Sequence, residues 1–255
     1  MPSEPMSSAI QLEVCVESVE SARAAEEGGA ARVELCSSLI EGGITPSAGL
    51  IAMVRRNVKI AVHVLIRPRA GDFYYTESEF EVMQRDILLA RQLGANSVAV
   101  GILDIDGRVD VPRTRALIEA AAPMQVTFHR AFDFARDPIE GLRDVISTGA
   151  TRILTSGGAT TAEQGSSVLR ELVSKAGSSI AILACGRIRE NNVADLIRAT
   201  GVREVHANLA TPLPSPVGPR NSTPSLGSTQ VAVDTRSMVL AEAVRAFLCA
   251  ASAGV

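Results

Sequence analysis

A single (β/α)8 TIM barrel of eight parallel strands is the fold that the sequence predicts, on three observations. Short β-rich runs alternate with helical patterns from Leu12 to about Ala253, and the pairs number eight. Several helices close on a glycine followed by a small residue or a strand: Gly28-Gly29, Gly94-Ala95, Gly149-Ala150 and Gly201-Val202 fit left-handed C-terminal caps. Helix, glycine, short link and apolar strand, repeated eight times in 255 residues, requires parallel strands with helical crossovers. A doubly wound open sheet is the competing arrangement.

The strands are expected at residues 12–16, 32–36, 60–66, 97–101, 124–129, 152–155, 180–185 and 204–207. Helices are expected near 18–28, 46–57, 77–93, 111–121, 137–147, 160–176, 189–200 and 237–252. All belong to one domain spanning 1–255, with 1–11 as a flexible N-terminus. The segment 208–237, rich in Pro, Ser, Thr and Gly, interrupts the last crossover as a long loop, either a lid or a disordered stretch.

A formal net charge of -3 and a pI near 5.7 argue against a general nucleic-acid or membrane surface. No apolar run approaches the roughly 20 residues that span a bilayer, and MPSEPMSSAIQ lacks the basic and apolar regions of a secretion signal. A cytoplasmic location follows as an expectation, with Cys15, Cys36, Cys185 and Cys249 as reduced thiols.

The stretch IAVHVLIRPRAGDFYY organises the chemistry. Ile60, Val62, Val64 and Ile66 fall on one strand face, and Ala61, His63, Leu65 and Arg67 on the other. Pro68 has no N–H for the ladder, so the strand ends there and the loop carries Arg69, Asp72, Tyr74 and Tyr75. Sorting every strand by its continuously apolar face leaves Glu13, Cys15, Glu17, Glu34, Cys36, His63, Arg67, Gln125, Thr127, His129, Cys185, Glu204, His206 and Asn208 facing the lumen. Buried charges must pair, hydrogen-bond or hold a ligand; Glu13 or Glu34 against Arg67 is one such pairing, and a self-satisfied network of this kind needs no substrate.

Three constellations carry chemistry. In the run from Thr127 to Asp133, His129 is a candidate general acid or base beside Arg130, with Asp133 or a neighbouring carboxylate fixing its tautomer; His206 is a second candidate catalytic group. Backbone N–H groups around Ser156 and Gly157 suit an anion, joining Glu13, Glu34, His63, Arg67, Arg69, Asp72 and Arg130 as candidate substrate- or anion-binding residues. Cys15 and Cys36 stand at equivalent positions on adjacent strands, where two thiolates would suit a soft ion such as Cu(I); packing as small hydrophobes is the other reading. The spacing of a structural zinc site is missing.

The runs VELCSSLIEGGITPS, HVLIRPRAGDFYYTESEFEVM, GILDIDGRVDVPR, VTFHRAFD, RILTSGG and EVHA, in this order, resemble the CutC family, named for copper homeostasis. The resemblance covers residues 12 to about 207. It implies a (β/α)8 barrel, a cytoplasmic setting, a homo-oligomer, usually a dimer, and a copper ion held by a cysteine pair matching Cys15 and Cys36. The chain departs from the family pattern at Ala70, at Cys185-Gly186-Arg187 and at Asn208, and it matches poorly after Leu209. Two functions therefore stand: a copper homeostasis protein binding Cu(I), or a barrel enzyme whose interior arginines and histidines bind a small phosphate or carboxylate. An oligomeric scaffold with a polar core is the third.

Overall fold

The computed structural model describes residues 10–217 and 235–255. The expected N-terminal segment thus lies outside the described residues up to position 9, as does the middle of the last loop. Eight parallel strands close into a barrel in chain order: β1 (Gln11–Val16), β2 (Arg32–Leu35), β3 (Ala61–Leu65), β4 (Ser97–Val100), β5 (Gln125–Phe128), β6 (Arg152–Thr155), β7 (Ala181–Ala184) and β8 (Glu204–Ala207), with β8 pairing back onto β1. The crossovers are α1 (Val19–Glu27), α2 (Ala48–Asn57), α3 (Glu77–Gln92), α4 (Val111–Ala121), α5 (Pro138–Thr148), α6 (Ser166–Ala176) and α7 (Val193–Thr200), and α8 (Ala241–Ser252) follows β8.

Local chemistry explains the helix starts. Ser18, Ser47, Asp110 and Asp137 each cap a first turn by accepting from a backbone N–H, and Thr76 forms a reciprocal capping box with Glu79. Four of the expected glycine caps hold in the left-handed region, at Gly29, Gly94, Gly149 and Gly201. Helix α6 begins at Ser166, six residues later than the pattern suggests, because residues 160–165 form turns that pack under the β7 loop, where Ala162 N–H donates to Gly186 O.

The long loop is not wholly irregular. Its two ends form an antiparallel ribbon, β9 (Ala210–Pro214) with β10 (Thr235–Val239), so residues 237–239 are strand where a helix is expected. Val239 N–H donates to Ser21 Oγ, tying the ribbon to α1. Residues 218–234, on which the choice between lid and disorder rests, lie outside the described residues.

The outward faces of the strands, including Leu12, Val14, Val33, Leu35, Val62 and Val64, are fully buried beneath the helices. The lumen is mixed rather than uniformly ionic. Cys15, Cys36, Leu65 and Ala99 form one apolar island inside it, and Leu154, Leu183 and Cys185 another. Among the described residues no helix is long and apolar enough to cross a membrane.

Candidate functional site

The lower lumen is a charge network centred on Glu13. Register places Glu13 beside Arg32 on β2 and His206 on β8, and Glu34 beside His63 on β3. Arg32 Nε donates to Glu13 Oε2 at 2.7 Å, and a second guanidinium nitrogen of Arg32 donates to Glu204. Glu204 also accepts from Arg152 Nε at 2.9 Å, and Arg152 reaches Gln125 Oε1 at 2.8 Å. His206 Nδ1 lies 2.8 Å from Glu13 Oε1; His63 Nδ1 is 2.9 Å from Oε2 without hydrogen-bond alignment. Burial alone would raise the Glu13 carboxyl, but the Arg32 charge and the two histidine contacts hold it well below the usual carboxylate range.

The partner of Glu13 is therefore Arg32, not Arg67. Arg32 and Arg152 are the residues that sequence reasoning misses, and the signal for them is the two-residue strand period: Arg32 precedes Glu34 and Cys36, and Arg152 precedes Leu154, on the inward face. Arg67 instead donates to three backbone carbonyls, Glu41, Gly43 and Gly71, at 2.8–2.9 Å, so it pins the loops after β2 and β3.

Above the network, at the C-terminal ends of the strands, opens a cavity of about 490 Å³. One half is sulfur and carboxylate. Cys15 Sγ lies 3.5 Å from Cys36 Sγ and 3.7 Å from Glu34 Oε2, and a ligand atom from each of Cys15, Glu34 and His206 falls within 4.8 Å of the others. The contact with Cys36, then burial and the nearby carboxylates, push the Cys15 thiol well above its ordinary range. Burial raises the Glu34 carboxyl against the opposing His206 charge; burial lowers the His206 imidazole, but Glu34 and Glu13 more than reverse this.

The other half is cationic and aromatic. His129, Arg130, Arg187 and Arg189 line it with Phe73, Phe134, Leu154 and Ile188. His129 Nδ1 accepts from the Ala131 N–H at 3.1 Å, so the backbone, not Asp133, sets its tautomer. Burial, then the Arg67 charge, lowers His129 to about 3; in the ligand-free protein it is neutral near pH 7 rather than poised as a general acid.

Asp133 has another task. It accepts from Thr155 Oγ1, from Ser156 N–H and Oγ, and from Gly158 N–H, and it pairs with Arg130 Nε at 2.8 Å. The Gly157 N–H donates to Thr155 Oγ1. The cradle expected at Ser156 and Gly157 to take an external anion thus already holds a carboxylate of the chain. Arg69 and Asp72 pair with one another at 3.0 Å outside the cavity, and Arg69 also binds Glu79. Of the residues expected at the site, Cys15, Glu34, Arg67, His129, Arg130 and His206 reach the cavity, whereas Glu13 and His63 lie beneath it and Cys36 behind Cys15.

Gly101, at the end of β4, makes room for the His129 ring. A Cβ there would lie 2.5 Å from His129 Cε1 and 2.8 Å from Ala131 Cβ. Gly101→Ala is expected to cost roughly 1–3 kcal/mol by overpacking, measured by urea denaturation; an unchanged midpoint would show that the ring moves aside freely.

Comparisons with known proteins agree with the architecture. The family protein CutC of Chromobacterium violaceum is 45% identical over 235 residues, covering 92% of this chain and 95% of the relative. That of Vibrio vulnificus is 47% identical over 207 residues, covering 80% and 83%. A solved structure from Streptococcus agalactiae, assigned as a copper homeostasis protein CutC, superposes with a TM-score of 0.74 at 31% identity, covering 77% of this chain and 97% of that one. N-(5'-phosphoribosyl)anthranilate isomerase from Pyrococcus furiosus shares only the fold, with a TM-score of 0.56 at 14% identity over 95% and 98% of the chains. With the CutC family model matching residues 10–211 and relatives of this identity along most of its length, the chain belongs to the CutC family.

Proposed function

We propose that this protein is a copper homeostasis protein that binds Cu(I) through Cys15 and Cys36, with Glu34 and His206 flanking the ion. The observation that carries the reading is the pair of free thiols 3.5 Å apart, Cys15 lining the cavity and Cys36 directly behind it. Two sulfurs suit a soft, low-coordinate ion, and the copper homeostasis assignment of the Streptococcus agalactiae relative supports the same choice. The raised Cys15 thiol carries its proton in the free protein, so uptake of the cation releases protons, and affinity is expected to rise with pH. Glu34 and His206 can take up or steer those protons, since both contact the same pocket of charge.

Free buried thiols suit a reducing compartment, so the activity is proposed for the cytoplasm. Assembly as a homodimer or higher homo-oligomer belongs to the same proposal.

The test is competition for Cu(I) between the reduced protein and a chelator. Cys15→Ser/Cys36→Ser is expected to weaken binding by about 100-fold or more, because changes one shell further out already cost about 10–100-fold. Equal affinity in the double variant would remove the site.

A further inference from the structure

The copper reading leaves the cationic half of the cavity without a role. His129 is 97% buried at its side of the barrel mouth, since its relative exposure is 3%. Its Nδ1 accepts a hydrogen bond from the Ala131 N–H, which an imidazolium cannot do, so the remaining ring proton sits on Nε2. That Nε2–H is a buried donor with no acceptor among the described residues. A donor left in this state costs free energy unless a ligand supplies the acceptor.

The surroundings specify the acceptor. Phe73 packs against His129 with ring centroids 5.3 Å apart, and the Arg67 guanidinium lies over the Phe73 ring, 5.1 Å from its centroid. The ring is thereby held in place, and the local potential is positive. Arg130 spends Nε and one terminal nitrogen on Asp133 and Ser156, and its other terminal nitrogen has no hydrogen-bond partner among the described residues. Arg187, on the loop after β7, makes no ion pair or side-chain hydrogen bond among the described residues, and its backbone sits at φ 54°, in the left-handed region. A non-glycine residue is strained there. Beside these donors the cavity has an apolar lining that includes Phe134, which packs against Phe73 with centroids 5.4 Å apart and is largely exposed.

We propose that this half of the cavity binds an oxyanion, carboxylate or phosphate, carried by a small molecule with an aromatic or otherwise apolar body, with His129 Nε2–H, Arg130 and Arg187 as its donors. The site is separate from the thiol pair and needs no metal. It goes beyond copper binding, and the two fail independently.

The experiment uses full-length, reduced, chelator-treated protein and isothermal titration with inorganic phosphate, phenyl phosphate and benzoate. Phenyl phosphate or benzoate is expected to bind, and whichever binds more tightly identifies the headgroup; inorganic phosphate, lacking the apolar body, binds more weakly. Arg187→Ala, a change at an exposed loop position, should weaken binding about ten- to hundredfold, as should His129→Phe, the range for a hydrogen bond to a charged partner. In the wild type the His129 Nε2 proton resonance should shift on titration. Absence of binding by all three probes, or binding that neither substitution weakens, overturns the proposal.

Discussion

Glu13→Gln is expected to destabilise the barrel by about 3–5 kcal/mol, the usual cost of removing one member of a buried ion pair. Glu13 is 2% exposed and receives Arg32 and His206 directly, with His63 in contact. The neutral amide keeps the shape, so the loss isolates the charge: Arg32 would retain Glu204 alone as an ionic partner. For a chain of this size the melting temperature should fall by about 6–20 °C. Urea denaturation with an Arg85→Ala control checks this, because Arg85 pairs with Glu81 at 2.6 Å on an exposed helix face and should cost about 1 kcal/mol or less. A Glu13→Gln loss no larger than the control's would mean that the network contributes little. The same carboxyl sets an acid limit. Its folded-state value is depressed, so its contribution is complete above the ordinary value of about 4.3 and disappears as pH falls through the lower one.

Acidification from pH 6.5 to 5 is expected to cost about 2 kcal/mol through His129 alone. In the unfolded chain a histidine protonates near 6.5, whereas in the folded barrel burial and the Arg67 charge hold His129 at about 3. Between those values the unfolded state binds one more proton, so stability rises with pH at about 1.4 kcal/mol per unit. His206 acts in another window. Its folded-state value is raised, so its contribution is full well below about 6.5 and is lost as pH climbs through the higher value; the raised Glu34 carboxyl likewise opposes the His129 slope, and comparison with a variant lacking His129 isolates that slope. Urea unfolding of wild type and His129→Phe at intervals from pH 5 to 7.5 reads the effect as a difference in slope below 6.5. Parallel curves would show that His129 is not the buried neutral group described above.

The barrel was legible because each strand keeps one unbroken apolar face, and the period of two then assigns every other side chain to the lumen. That rule placed Glu13, Cys15, Glu34, His63, His129 and His206 together. It applies equally to Arg32 and Arg152, which become readable once the period is continued to the first residue of each strand. What it does not contain is partner choice. Arg67 and Glu13 share the lumen, yet Arg67 is consumed by carbonyls of the loops beside it, and only loop geometry decides that. Asp133 illustrates the same limit: its position after His129 suggests a dyad, but the turn at residues 130–134 swings the carboxylate onto the β6 loop, where four donors wait. Arg187 and Phe134 join the cavity from connections whose conformation carries no sequence period.

The ion chain from Arg32 on β2 through Glu204 on β8 to Arg152 on β6 crosses the full diameter of the cylinder. A ribosome that has released the chain only as far as β6 has therefore made two lumenal arginines whose shared carboxylate is still some fifty residues away in the chain. Half-barrels cut from this protein should consequently be poor folding units, and the closing strand acts as the keystone without which the earlier courses do not stand.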